Sequence, residues 1–101
     1  MKKKVEKDIS ILIPSKIIDD NLRYCIKQIR KFYKNIKIIL VLDKPSESKM
    51  DKNIQIAISG NETIGFKRNL GLKYVITKFV SFIDSDAYPN KNWLILGIKN
   101  L

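Results

Sequence analysis

The stretch Phe79-Val80-Ser81-Phe82-Ile83-Asp84-Ser85-Asp86 sets an apolar run directly against two carboxylates. Three other runs share its character: Ile9 to Ile13, Ile36 to Leu42 and Ile54 to Ile58. Each has five to seven residues, is rich in β-branched side chains, and is nearly continuous rather than alternating. Continuous apolar runs of this length belong to strands buried on both faces, and hence to a mostly parallel sheet covered by helices.

Helix-length segments separate the runs. From Asp20 to Lys34, apolar residues fall at Leu22, Cys25, Ile26, Ile29 and Phe32, the stripe of an amphipathic helix. Asp19 or Asp20 is its N-cap, and Lys31 and Lys34 suit the negative end of its dipole. A second helix is predicted between Thr63 and Lys78, with the stripe Leu72, Val75, Ile76 and Phe79. A third is predicted after Pro89-Asn90, carrying Trp93, Leu94 and Ile98. The polar segment Lys44 to Lys52 reads as a surface loop, the one break in the alternation. The order β-α-β-loop-β-α-β-α describes an α/β fold: an open, three-layer, wound and mostly parallel sheet, Rossmann-like, with four strands and three helices.

Composition narrows the chemistry. With 101 residues the chain is predicted to form a single domain, residues 1–101. It contains no His and a single Cys, Cys25, which lies on the apolar stripe of the first helix. A disulfide framework, a Cys/His zinc site and every His-dependent nucleophilic mechanism are thereby excluded. Chemistry must run on carboxylates, Lys, Tyr, hydroxyls or a metal held by oxygen. The net charge of +10 favours anionic partners. Yet the basic residues are overwhelmingly Lys, with only Arg23, Arg30 and Arg68, whereas base and phosphate recognition prefers Arg. No specific nucleic-acid partner is expected. The apolar runs are too short for a signal-peptide core or a membrane span, so a cytoplasmic location, at most peripheral to the inner face of a membrane, is expected.

In wound sheets, ligands sit beyond the carboxyl ends of the strands, near the switch in strand order. Those ends read Pro14-Ser15, Asp43, Ser59-Gly60-Asn61 and Asp84-Ser85-Asp86. Carboxylates beside apolar strands are costly unless compensated, and a hard cation compensates them. In extended chain, residues two apart point to one side, so Asp84 and Asp86 could face one ion. All-oxygen ligation suits Mg²⁺ or Mn²⁺. An Asp-Ser-Asp sequence is also ordinary turn chemistry.

Four stretches in order resemble the N-terminal, nucleotide-binding half of a family 2 glycosyltransferase with the GT-A fold. They are Ile9 to Ser15, Ile38 to Asp43, Asn61 to Leu72 and Phe82 to Pro89, followed by Trp93-Leu94. The resemblance implies a nucleotide-diphosphate sugar donor, with a UDP-sugar commonest, a divalent metal (Mn²⁺ or Mg²⁺), and transfer to an acceptor whose identity it leaves open. It further implies that Pro14 and Ser15 border the nucleotide and that Asp43 accepts a hydrogen bond from the nucleobase. Asn61 and Gly65 would shape the loop over the ribose. Arg68 and Asn69 would face the nucleotide, with Arg68 or Lys67 near the diphosphate. Asp84 would contact the ribose or sugar, and Asp86, with Asp84, would hold the metal. Gly65 and Gly71 serve either ligand approach or close helix-sheet packing, and Asn69 either a ligand or the backbone. Trp93 fits the core better than an acceptor site. The sequence departs from the family pattern at Lys16-Ile17-Ile18 and at Lys44-Pro45-Ser46.

No catalytic residue is identifiable. The family's acidic general base lies in an acceptor-binding half with no counterpart before Leu101, so the chain is expected to bind donor without transferring it. The fourth strand would then be an open apolar edge, and self-association or a partner chain is expected there. The competing readings fit less well. A nucleotidyltransferase wants a Gly-rich loop after the first strand, and a phosphoacceptor domain wants an acidic pair there. A non-catalytic nucleotide-binding protein, or a small basic nucleic-acid-binding α/β protein, remains the alternative.

Overall fold

The computed structural model of the chain describes residues 7–46, 50 and 53–84. Four parallel strands form one sheet: β1 (Ile9–Pro14), β2 (Lys37–Leu42), β3 (Ile54–Ile58) and β4 (Phe79–Phe82). Helix α1 (Asp20–Phe32) joins β1 to β2, and α2 (Ile64–Leu72) joins β3 to β4. The strand order is β3-β2-β1-β4. The chain therefore winds outward from β1 to β3, then crosses back to the other side of β1. This reversal places the topological switch between β1 and β4, where an open sheet parts to admit a ligand.

The two faces of the sheet take different side chains, as strand alternation requires. Ile9, Ile11 and Ile13 of β1 join Ile38, Leu40 and Leu42 of β2 under Leu22, Cys25, Ile26 and Ile29 of α1. On the opposite face, Leu12, Ile39, Val41 and Ala57 pack with Leu70 of α2 and with Val75 and Val80. The helices thus lie on opposite faces, giving the expected three layers. All six residues of β1 are buried, while β3 and β4 are mostly half-buried. That gradient matches continuous apolar runs in the centre of the sheet.

Local chemistry fixes the helix ends. Asp19 is the N-cap of α1, its Oδ1 accepting from the Leu22 amide at 2.8 Å. At the other end Arg30 reaches past the helix and donates to the Ile36 carbonyl at 2.6 Å, tying α1 to the start of β2. Helix α2 is shorter than the sequence pattern predicts. Its amides at Lys73, Tyr74 and Val75 bond three residues back, to Leu70, Gly71 and Leu72, so the last turns tighten and the helix stops. The β-branched run Val75-Ile76-Thr77 then leads into β4, leaving Ile76 exposed and placing Phe79 in the strand. The real buried stripe of α2 is Lys67 and Gly71. Gly71 is needed there: a Cβ at this position would lie 2.5 Å from Leu12 Cδ1. Gly65 has no such neighbour, the nearest atom being Thr63 Oγ1 at 4.0 Å. The third expected helix, with Trp93, and also Asp86 lie outside the described residues. Among the described residues no helix is long and apolar enough to cross a membrane.

Candidate functional site

The carboxyl edge is held in register by backbone bonds that continue past the strands. The Ser15 amide donates to Val41 O at 2.9 Å, Asp43 to Lys16 O at 3.1 Å, Ser59 to Leu42 O at 2.8 Å and Ile83 to Leu12 O at 3.1 Å. The residues that close the strands are therefore fixed relative to one another. Gly60 follows Ser59 with φ of 82°, a conformation glycine adopts without strain, and turns the chain toward α2. Thr63 starts that helix, its Oγ1 accepting from the Phe66 amide at 3.1 Å.

Two adjacent cations on α2 then reach different strand ends. Lys67 is 3% exposed. Its Nζ donates to the Ser15 carbonyl at 2.7 Å and to the Asp43 carboxylate. An ammonium in such a position is tolerated because acceptors surround it. Arg68 turns toward β4, where a guanidinium nitrogen lies 3.6 Å from Asp84 Oδ1 and the group stacks 5.5 Å from the Phe82 ring centroid. Its Nε is buried with no hydrogen-bond partner among the described residues.

A cleft of about 200 Å³ opens beside this edge, lined by Pro14, Ser15, Lys16, Glu62, Ile64 and Lys67. The fold thus gathers Pro14, Ser15, Asp43 and Lys67 at one place, with Arg68 and Asp84 across β1 at the switch point. Asn61 and Gly65 are exposed residues of the loop and first turn that adjoin them. Asn69 is not brought in. It sits roughly 200° around α2 from Lys67, exposed, beside Phe66, Leu70 and Lys73. Sequence reasoning did not foresee the ion pair between Lys67 and Asp43. The available signal was the spacing of Lys67 and Gly71, which places them on one face of the helix. Lys16, Glu62 and Ile64, which line the cleft, were not singled out either.

The donor set at this edge bears on metal binding. Among the described residues there is no cluster of three or more acidic, His or Cys side chains. The Asp43 carboxylate is engaged by Lys67, whereas the Asp84 side chain is 63% exposed beyond β4. Asp84 is itself paired with Arg68, so among the described residues a single carboxylate, already facing a cation, stands at the end of β4.

The fold and this edge define an open parallel α/β protein with a polar site at its switch point. Comparison with known proteins makes the assignment narrower. Residues 10–101 match the model of glycosyl transferase family 2, and the chain belongs to that family. It is 28% identical over 100 residues to the glycosyltransferase GlyA of Streptococcus pneumoniae, covering 89% of this chain and 14% of that protein. It is 31% identical over 103 residues to an uncharacterized glycosyltransferase of Rickettsia conorii, covering 90% of this chain and 17% of the relative. The chain therefore spans under a fifth of the length of these two relatives. The crystal structure of Staphylococcus aureus TarS 1-349 superposes with a TM-score of 0.71 at 21% identity, over 87% of this chain and 30% of that one. That likeness confirms the GT-A-like fold.

Proposed function

We propose that this chain binds a nucleoside-diphosphate sugar, UDP-linked, at the carboxyl edge of its sheet, for glycosyl transfer to an acceptor. One observation carries the reading: carboxylates at two strand ends meet cations of α2 along the carboxyl edge, Asp43 with Lys67 and, at the switch point, Asp84 with Arg68. Membership of glycosyl transferase family 2 supports it.

In this reading Pro14 and Ser15 border the nucleotide, Asp43 accepts from the nucleobase edge, and the loop bearing Asn61 and Gly65 lies along the ribose. Arg68 faces the diphosphate, with charge-assisted hydrogen bonds that a phosphate oxygen strengthens. Asp84 and Asp86 would hold Mn²⁺ or Mg²⁺, which supplies charge neutralisation for the departing diphosphate when bound. The pairing of Arg68 with Asp84 keeps both groups in place before ligand arrives, limiting the reorganisation that binding requires.

The test is calorimetric titration with UDP, GDP, ADP and CDP, each with Mn²⁺ and with excess chelator. UDP binding that needs the metal supports the proposal. UDP affinity unchanged by chelator refutes the metal assignment, and indifference to the base refutes nucleobase recognition. Retention on nucleic acid that falls with salt, without nucleotide binding, would favour the nucleic-acid alternative.

A further inference from the structure

Lys67 is the one buried lysine among the described residues, and its acceptors come from two different strand ends. Two of its three protons are directed at the Ser15 carbonyl and the Asp43 carboxylate. The side chain of Lys67 is only 4% exposed, whereas that of Asp43 keeps 16%. Of the pair, the carboxylate is the member with more access to an incoming ligand. The cations with surface access at this edge are Arg68, whose side chain is 42% exposed, and the exposed Lys16 and Lys44.

These placements separate two tasks for adjacent residues. A carboxylate left bare near a bound diphosphate would repel it, and would be free to rotate. Held by an ammonium, it is neutralised and kept in one orientation, so that less freedom is lost on binding. We infer that Lys67 is a positioning residue for Asp43, holding that carboxylate for the nucleobase, and that it does not bind the diphosphate. The inference rests on the donor-site reading above and goes further by giving Lys67 a role through the groups it holds, Asp43 foremost, rather than through contact with the ligand.

The test uses calorimetry with Mn²⁺ and two probes, UDP and inorganic pyrophosphate, on the unaltered chain and on Lys67→Met, Asp43→Asn and the double variant. Lys67→Met is expected to weaken UDP at least about tenfold, the scale of one charge-assisted hydrogen bond. Pyrophosphate affinity should stay within about twofold. Added to Asp43→Asn, the Lys67 change should alter UDP affinity by less than about twofold, since residues acting as one unit are not additive.

Lys67→Met leaves a largely buried carboxylate without its partner, a change that destabilises the fold as well as the site. The comparison of Asp43→Asn with the double variant avoids this, because the double variant leaves neither charge alone. Equal losses of pyrophosphate and UDP in Lys67→Met overturn the inference, as does a further tenfold loss of UDP in the double variant. Full UDP affinity in Lys67→Met also overturns it. Absence of UDP binding by the unaltered chain refutes the donor-site reading itself.

Discussion

Replacing Gly71 by Ala should destabilise the fold although alanine is the better helix former. The new Cβ would lie 2.5 Å from Leu12 Cδ1, 2.8 Å from Cγ and 3.1 Å from Cδ2. Carbon atoms pack at about 3.5–4.0 Å, so an overlap of about 1 Å must be relieved. Rotating the leucine methyls cannot do this, because Cγ itself is too close. Leu12 is fully buried against Ile39, Val41 and Ala57, so either the side chain or α2 must shift within a packed layer. Overpacking of this kind costs about 1–3 kcal/mol. The gain in helix propensity is at most about 1 kcal/mol, and it is smaller at the penultimate residue of α2. The net loss is expected to be about 1–2 kcal/mol, which lowers Tm by about 4–8 °C per kcal/mol in a domain of this size. Thermal and urea unfolding followed by circular dichroism measure it, with Gly65→Ala as the control. Gly65 has open space and should be neutral or up to about 1 kcal/mol stabilising. Unchanged stability in Gly71→Ala, or an equal loss in Gly65→Ala, would refute the close approach of α2 to β1.

Asp19→Ala should cost about 1 kcal/mol in urea unfolding through loss of the α1 N-cap, whereas Asp20→Ala, at an exposed site, should cost less than half of that. Mn²⁺-dependent UDP binding should fall further in Asp86→Ala than in Asp84→Ala, because Asp84 shares its charge with Arg68; the reverse order in calorimetry argues against Asp86 as the main ligand. The outer edge of β4 has no strand partner among the described residues, so the chain should self-associate with concentration, more in high salt than in low. Sedimentation showing a monomer at both salt levels contradicts that expectation.

The strands were legible because burial on both faces leaves a continuous apolar run, and the sheet boundaries match those runs to within one residue. α1 was legible for a related reason: one face is apolar and one is charged, so its period shows. α2 was not. Its buried positions are a glycine and a lysine, neither of which registers as apolar, while Leu72 and Ile76 are exposed. The period read from Leu72 to Phe79 therefore followed residues that the chain places outside the helix or at its surface. The same cause hid the ion pair of Lys67 with Asp43, since a lysine on a presumed polar face gives no sign of burial. Asp43 and Asp84 stood out in the sequence because strand ends in a wound sheet are where polar groups collect, whereas Arg68 entered through the resemblance of Asn61 to Leu72. Asn69 entered through the same resemblance, and the helix turns its side chain roughly 200° from that of Lys67.

The central claim, that ligand sits at the carboxyl edge around the switch between β1 and β4, is tested most directly by amide chemical-shift mapping. A uniformly ¹⁵N-labelled chain is titrated with Mg²⁺ and UDP. The account predicts shifts at Ser15, Asp43, Asn61, Gly65, Lys67, Arg68 and Asp84, with little change along Arg23, Lys27 and Lys31 of α1. Shifts confined to that basic face of α1, with the strand ends unmoved, would contradict it and mark the charge of +10 as a general attraction for anions.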